Sequence, residues 1–161
     1  MTSNAVDSAT FRSVLGRFAS GVTIVTARDG DGVDHGMTVS AFSSLSLEPP
    51  LVLICVERDA TMHPVLHAVS AFAVNILSSE QEHLSRAFSE RESDRFEGVG
   101  FTRGLTGAPL LDDALAHLEC TLEARHDGGD HTIFVGRVAA ARAGEGRPLL
   151  YYRGGYAQLE R

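Results

Sequence analysis

Short apolar runs rich in β-branched residues alternate along this chain with turns that contain glycine. We predict strands in these runs, at 22–27, 51–56, 71–77, 116–125, 131–138 and 149–152. The turns at 29–32 and 127–130 each hold two glycines, which supply the positive φ angles that tight hairpin turns require. Many short strands joined in this way favour a β-barrel or a β-sandwich over a parallel sheet.

Helical spacing of apolar residues predicts a first helix near the N-terminus. Asp7 or Ser8 can cap its start, and we expect Gly21 to end it, because glycine readily adopts the left-handed conformation that follows a helix. One face of this helix carries Phe11, Val14, Leu15 and Phe18.

A second amphipathic helix is predicted after the strand at 71–77. Ser79 and Glu82 fit a capping box, in which two side chains bond reciprocally to backbone N–H groups. One side of this helix carries Leu84, Ala87 and Phe88. The region 63–69 predicts a shorter helix, and the charged stretch 90–97 predicts a solvated loop.

The segment 36–47 places five hydroxyl groups within a few residues. They belong to Thr38, Ser40, Ser43, Ser44 and Ser46. Pro49 and Pro50 separate this segment from the strand at 51–56, because proline cannot donate to a sheet ladder. Hydroxyl and backbone N–H groups can hold a phosphate without a formal charge. A strand whose hydroxyls simply face water is the alternative interpretation.

Size and charge narrow the function classes. The chain has 161 residues, of which 43% are hydrophobic and 22% charged, an ordinary composition for one globular domain. Its net charge of −7 argues against a nucleic-acid partner, which would need a concentrated basic surface. The first ten residues are polar, and no apolar run reaches the roughly 18 residues of a membrane span. We therefore expect a soluble cytoplasmic protein that binds neither nucleic acid nor membranes.

Cysteine and motif content exclude several further kinds of site. Cys55 and Cys120 form no CxxC pair, so zinc and disulfide frameworks have little support, and no metal site is expected. Cys55 lies in an apolar run and is interpreted as a small buried hydrophobe. The chain has no strand–GxGxxG–helix unit, no Walker A loop and no GxSxG, so Rossmann, P-loop and serine-hydrolase sites are unsupported.

Two single residues carry candidate chemistry. Arg58 directly follows the strand at 51–56 and can add charge-assisted bonds to a phosphate, or it can pair at the surface with Glu57 or Asp59. His131, next to Asp130, can orient a ligand or relay a proton near neutral pH, although the chain has seven histidines.

Aromatic and arginine side chains cluster near the C-terminus, at Tyr151, Tyr152, Arg153 and Tyr156. Such a group suits stacking on a planar ring or pairing with a phosphate, and equally suits a strand whose tyrosines cover the edge of a core. The residues by themselves therefore indicate a β-rich domain with a candidate anion-binding segment.

Several separated segments make the chain similar to one known family. They are FASGVTIVT at 18–26, GMTVSAFSS at 36–44, PPLV at 49–52, FAVNIL at 72–77, Gln81 with Leu84, Ser85 and Phe88, and GDH at 129–131. In this order they resemble the flavin reductase-like family, the short reductase components of two-component flavin monooxygenases. The resemblance extends from about Phe11 to Tyr156 and implies a single domain over 1–161, with its core at about 10–158.

The resemblance implies a mainly β fold with flanking helices, an FMN-binding split β-barrel of Greek-key type that works as a homodimer. It implies that NADH or NADPH reduces FMN or FAD, and that the reduced flavin diffuses to a separate monooxygenase. A flavin-binding protein of the same fold without turnover, acting as a sensor or carrier, is the alternative. A β-domain without any cofactor is the other alternative.

The resemblance also implies where the ligands lie. The flavin ribityl chain and phosphate would contact Met37, Thr38, Val39, Ser40, Ala41, Ser43 and Ser44. The isoalloxazine ring and phosphate would be bordered by Cys55, Val56, Glu57, Arg58 and Thr61. The pocket would be closed, from within the protomer or across the dimer, by Ala87, Phe88 and Arg91. The nicotinamide dinucleotide would meet His131, the catalytic candidate, and Tyr151, Tyr152, Arg153 and Gly154.

Overall fold

The computed structural model describes residues 5–90 and 94–160. Within these ranges the chain forms three α-helices and twelve strands. The helices are α1 (Ser8–Leu15), α2 (Met62–Ala68) and α3 (Glu82–Ser89), and a 3₁₀ turn at Ser79–Gln81 precedes α3. The strands are β1 (Ser20–Gly21), β2 (Thr23–Arg28), β3 (Asp34–Val39), β4 (Phe42–Ser46), β5 (Leu51–Glu57), β6 (Ala71–Ile76), β7 (Phe101–Arg103), β8 (Pro109–Leu111), β9 (Ala116–Gly128), β10 (His131–Ala143), β11 (Leu149–Tyr152) and β12 (Gly155–Gln158).

Seven of the strands form one antiparallel sheet, in the order β3-β2-β6-β9-β10-β5-β4. Its edge strands, β3 and β4, are consecutive in the chain, and β3 also lies beside β5. The sheet therefore curls until its two edges approach each other, as a barrel requires. Two smaller sheets, β1-β11-β12 and β7-β8, accompany it. This arrangement confirms the predicted mainly β fold with flanking helices and its barrel class.

Two clusters of buried side chains lie on opposite faces of the large sheet. Phe72 and Phe134 belong to the larger cluster, which joins the sheet to α2. Phe88 belongs to the smaller cluster, which joins the sheet to α3 and the C-terminal strands. Successive side chains of a strand point to opposite faces, and β2 accordingly gives Val25 to the larger cluster and Ile24 to the smaller. The smaller cluster therefore attaches α3 to the barrel.

The predicted strands are confirmed, with two of them longer than expected. β9 and β10 run to Gly128 and Ala143, because they pair with each other along their whole lengths through the predicted turn at 127–130. The sequence pattern did not predict the short strands β1, β7, β8 and β12. Strands of two to four residues are too short to show an alternating pattern.

Helix α1 begins where predicted and ends earlier. The Asp7 carboxylate accepts a hydrogen bond from the Thr10 N–H at 2.8 Å, as an N-cap does. The expected end at Gly21 is wrong: the helix ends at Leu15, and Gly21 belongs to β1. The chain leaves the helix at Gly16, whose carbonyl accepts a hydrogen bond from the Arg153 N–H at 2.9 Å. A contact with the C-terminal hairpin therefore accompanies the early end.

The capping box lies one residue earlier than predicted, at the 3₁₀ turn that precedes α3. The capping box is formed by Ser78 and Gln81, not by Ser79 and Glu82. The Ser78 N–H donates to Gln81 Oε1 at 3.0 Å, and Gln81 Nε2 donates to the Asp112 carbonyl at 2.9 Å. The amide side chain of Gln81 accepts through its oxygen and donates through its nitrogen, a combination that an ionised glutamate at this position could not provide.

The stretch predicted as a solvated loop, 90–97, is partly packed. Arg95 is half-buried and its guanidinium donates to the carbonyls of Gly36 and Glu90. The ring of Phe96 stands edge-on to Phe88, with centroids 5.1 Å apart. This part of the stretch therefore covers the smaller core cluster. None of the helices in the described ranges has the length and apolar content needed to cross a lipid bilayer.

Candidate functional site

The hydroxyl-rich segment is divided between two strands and a bend. Thr38 lies on β3, the bend contains Ser40 and Ala41, and Ser43 and Ser44 lie on β4. β4 pairs with β5, whereas β3 pairs with β2, so the bend connects the two edges of the large sheet. The segment therefore lies where the curled sheet comes closest to itself.

The five hydroxyls are not equivalent. Thr38 donates its hydroxyl proton to the Ser85 carbonyl at 2.7 Å, and Ser43 donates to the Ser44 carbonyl at 2.9 Å. Ser40 and Ser44 are exposed, and neither side chain has a hydrogen-bond partner among the described residues. Met37 and Val39 pack on or within the larger core cluster. The structure thus leaves Ser40 and Ser44 as the hydroxyls best able to meet a ligand.

Strand β5 passes directly beside the bend. The Cys55 N–H donates to the Ala41 carbonyl at 3.0 Å, which joins two of the predicted flavin segments. Val56 is buried, whereas Cys55 is only half-buried, not enclosed as the sequence suggested. Burial raises the pKa of the Cys55 thiol, so the side chain is a neutral, weakly polar surface near neutral pH.

The end of β5 meets the start of β10. Register pairs Glu57 with His131, and the Arg58 N–H donates to the Asp130 carbonyl at 2.9 Å. The Arg58 side chain pairs with Asp127, with Nη2 and Oδ1 2.8 Å apart. The expected surface partners, Glu57 and Asp59, are therefore replaced by a residue near the end of β9, which the sheet register brings across.

His131 and its acidic neighbour are in contact, as predicted. His131 Nδ1 lies 2.7 Å from Asp130 Oδ1, and both side chains are accessible to solvent. The hydrogen bond from the imidazole lowers the pKa of Asp130, which keeps this carboxylate ionised. A carboxylate at Nδ1 favours a proton on that nitrogen and leaves Nε2 for a ligand.

Thr61 occupies the N-cap position of α2 and lines a pocket of about 320 Å³. The pocket is also lined by Asp34, His35, Gly36, Met62, Asp94, Arg95 and Phe96. Burial lowers the pKa of Arg95, whose guanidinium is bonded to backbone carbonyls. The pocket therefore adjoins the predicted flavin segment through Gly36 and Thr61.

On α3, Ala87 is half-buried and Phe88 is completely buried. A Cβ atom at Gly36 would lie only 2.7 Å from the Phe88 ring, so the two residues pack in close contact. Phe88 therefore lies behind β3 as part of the core. Arg91, predicted to help close the pocket, lies outside the described residues.

The C-terminal tyrosines lie on a tight hairpin formed by β11 and β12. Arg153 and Gly154 form its turn with φ angles of 51° and 77°, and the glycine adopts such an angle without strain. Tyr151 and Tyr152, on β11, are exposed. Tyr156, on β12, is bonded to Ser85 of α3, with Oη and Oγ 2.7 Å apart.

The predicted site residues therefore form two groups within one protomer. The first combines the bend at Ser40, the end of β5 and His131. The second is the hairpin that carries Tyr151, Tyr152, Arg153 and Gly154, which contacts the end of α1 and α3. Ser85 is the link between them, because its carbonyl accepts from Thr38 while its hydroxyl meets Tyr156.

Sequence reasoning missed Asp127 as the partner of Arg58 and Ser85 as a linking residue. Ser85 is among the residues that carry the resemblance, but the local sequence indicates neither contact, because both join positions about 50 to 70 residues apart. Among the described residues, no group of three or more histidine, cysteine, aspartate or glutamate side chains is arranged to hold a metal ion.

Comparison with known proteins places this geometry in a family. The family model described as a flavin reductase like domain matches residues 15–160. Over 161 residues the chain is 43% identical to the reductase subunit HsaB of a flavin-dependent monooxygenase from Rhodococcus jostii strain RHA1, covering 99% of this chain and 82% of that protein. It is 44% identical over 153 residues to an NADH-dependent flavin reductase of a Rhodococcus species, covering 92% of this chain and 85% of that protein.

A solved structure agrees over nearly the same length. The NADH:FAD oxidoreductase SgcE6 of Streptomyces globisporus C-1027, in complex with NAD and FAD fragments, matches with a TM-score of 0.91 and 42% identity, covering 95% of this chain and 93% of that one. The predicted family is thereby confirmed, and the chain belongs to the flavin reductase-like family.

Proposed function

We propose that this protein is an NADH-dependent flavin reductase that binds FMN or FAD at the curled edge of the barrel. The observation that carries the proposal is the meeting of three elements: the hydroxyl-bearing bend after β3, the half-buried end of β5, and His131 at the start of β10. The likeness to a protein whose solved structure holds NAD and FAD fragments supports the same assignment.

The residues of the first group fit a flavin. Ser40 and Ser44 would donate to the ribityl chain or phosphate, and Arg58 would add a charged donor to the phosphate. Thr38 would have another role, because its hydroxyl proton is committed to the Ser85 carbonyl. It would hold the end of β3, and with it the bend, against α3.

The flavin, when bound, supplies the hydride-accepting chemistry, and the protein supplies binding and orientation. Holding the nicotinamide and flavin rings in contact contributes roughly 7–11 kcal/mol towards lowering the barrier. The neutral Cys55 and the apolar backing of β5 would exclude water from the flavin face. His131, oriented by Asp130, would position the nicotinamide dinucleotide through Nε2.

The proposal includes a homodimer, and α1 supports it. This helix has eight residues and buries none of them, although its apolar face carries Phe11, Val14 and Leu15 and continues at Phe18, which is 81% exposed. Isolated helices this short are unstable in water, so packing against another chain would explain why α1 forms. A second protomer would also bring another C-terminal hairpin, with its tyrosines, into the assembly.

The proposal also includes a recipient for the reduced flavin. The relative HsaB is the reductase subunit of a flavin-dependent monooxygenase, and we propose that this chain likewise supplies a separate monooxygenase. A single domain would carry the activity, and the cytoplasm, where NADH is available, would be its location.

The experiment is to follow NADH absorbance with purified protein, with and without added FMN or FAD. We expect oxidation that saturates with flavin, because the flavin is the electron acceptor, and the better flavin identifies the co-substrate. Tight quenching of flavin fluorescence without NADH oxidation would contradict the reductase and favour a flavin sensor or carrier. The absence of both would favour a β-domain without a cofactor.

A further inference from the structure

We propose that Asp127 competes with the phosphate groups of the ligand for Arg58, and thereby sets how strongly the site favours phosphorylated ligands. The inference rests on the proposed function, because it takes flavin and nicotinamide dinucleotide as the ligands. It goes beyond that function by assigning a role to Asp127, near the end of β9.

The contact is built by the register of three strands. Asp127 is the penultimate residue of β9, and Arg58 directly follows β5, on the other side of β10. The two side chains meet across the start of β10, with Nη2 and Oδ1 2.8 Å apart. The pair therefore lies beside His131 and within the group of residues assigned to ligand binding.

The pair is well placed to exchange partners. The Arg58 side chain is 47% exposed and that of Asp127 is 91% exposed, so neither group must be desolvated or rehydrated at much cost when they part. The ion pair joins one Asp127 oxygen to one Arg58 nitrogen, and the other guanidinium N–H groups have no partner among the described residues. A phosphate can accept two parallel bonds from such a guanidinium, which is the stronger arrangement.

This exchange suits a flavin that must leave after reduction. When no ligand is bound, the Asp127 carboxylate pairs with Arg58 and stabilises the free enzyme. This pairing weakens the binding of any phosphate to Arg58. Asp130, ionised beside His131 in the turn that follows β9, adds a second negative charge near Arg58. Both charges oppose tight retention of an anionic ligand, whereas a flavin without phosphate does not compete for Arg58.

The test compares Asp127→Asn with the wild-type protein, using FMN and riboflavin as probes and flavin fluorescence quenching as the measurement. We expect FMN to bind about 1.5- to 5-fold more tightly to D127N, which is the range that an exposed ion pair is worth. Riboflavin binding should not change. The gain should disappear in the Arg58→Gln background, and should shrink at about 1 M salt, where exposed charges are screened.

Asp59→Asn is the matched control, because it removes the same charge next to Arg58 in the chain and the Asp59 carboxylate forms no ion pair within the described ranges. The NADH KM of both variants separates the two phosphate sources. A lower FMN Kd assigns Arg58 to the flavin phosphate, and a lower NADH KM assigns it to the dinucleotide pyrophosphate. Either result supports competition by Asp127.

Three results would overturn the inference. They are unchanged FMN binding and NADH KM in D127N, weaker FMN binding in D127N, and an equal gain in D59N. If wild-type protein reduces flavin with NADH while any of these holds, the reductase assignment stands and only the role of Asp127 is lost. Wild-type protein that binds neither flavin would remove both.

Discussion

His131 shows how a single residue acquires a role from its surroundings. Seven histidines occur in the chain, and this one lies at the start of β10, where it pairs with Glu57 at the end of β5. Asp130 Oδ1 accepts a hydrogen bond from His131 Nδ1 across 2.7 Å, which leaves Nε2 for a ligand. The neighbouring carboxylate therefore favours one tautomer of the imidazole.

We predict that His131→Ala raises the KM for NADH by about 2- to 13-fold, the effect of losing one hydrogen bond between neutral groups. The FMN dissociation constant should change little, because the flavin contacts are assigned to other residues. Steady-state NADH oxidation and flavin fluorescence titration measure the two quantities separately.

His126→Ala is the matched control for this variant. His126 is exposed on β9, where it pairs with Ile133 of β10, and it has no assigned ligand contact. Equal losses of NADH use and flavin binding in H131A, or a comparable loss in H126A, would remove His131 from the nicotinamide site.

At the scale of elements, α3 links the flavin segment to the C-terminal hairpin. Ser85, which is completely buried, accepts from Thr38 of β3 through its carbonyl and meets Tyr156 of β12 through its hydroxyl. The Arg86 guanidinium lies 4.9 Å from the centroid of the Tyr156 ring. One hydrogen bond and one cation–π contact therefore hold the hairpin on the helix, and a second hydrogen bond joins the helix to β3.

We predict that Tyr156→Phe lowers the free energy of unfolding by about 1–3 kcal/mol, because it leaves the buried Ser85 hydroxyl without its partner. Urea unfolding followed by circular dichroism measures the change. The phenylalanine ring keeps the packing, so the effect reports the hydrogen bond.

Tyr151→Phe provides the comparison. Tyr151 is partly exposed and packs against Tyr156 with ring centroids 5.5 Å apart, but its hydroxyl has no hydrogen-bond partner in the described part of the chain. Its loss should change stability by no more than a few tenths of a kcal/mol, as for most surface substitutions. A Y156F variant as stable as Y151F would mean that the Ser85 contact contributes nothing.

At the scale of the whole molecule, the buried core accounts for the barrel but not for helix α1. Two buried clusters hold the barrel together, and neither includes α1. The end of this helix lies next to the hairpin that bears Tyr151 and Tyr152, because the Arg153 N–H donates to the Gly16 carbonyl. Several large exposed apolar side chains on one short helix mark an interaction surface.

We predict that the protein is a dimer in solution and that Phe11→Ser with Phe18→Ser shifts it towards the monomer. Burying one such side chain contributes about 1.5–3 kcal/mol, so the double variant should weaken association by several orders of magnitude. Sedimentation equilibrium measures the mass, and circular dichroism checks that the barrel is retained.

Leu47→Ser serves as the control, because Leu47 is more exposed than Phe11 or Phe18 but lies in the turn before β5, away from α1 in the chain. The α1 interface would be wrong if the wild-type protein were monomeric, or if F11S/F18S dimerised as strongly as L47S.

The elements could be predicted closely where the pattern was long enough. β5 and β11 begin at the expected residues, and Asp7 caps α1 as expected, because apolar runs and capping side chains are local signals. The end of α1 could not be predicted, since Gly16 is bonded to Arg153 from the far end of the chain. Most candidate site residues came from resemblance, and their assembly into two groups came from the sheet.

The sequence by itself determined the mainly β class, the family and the candidate flavin segments, because these depend on periodicity and on residue types in a fixed order. Only the tertiary structure decided which charged and hydroxyl groups are committed within the protein. Thr38 is engaged by Ser85, and Arg58 by Asp127, through contacts that the register of the barrel creates between distant residues. Such pairings depend on the strand order, which no local pattern of side chains encodes.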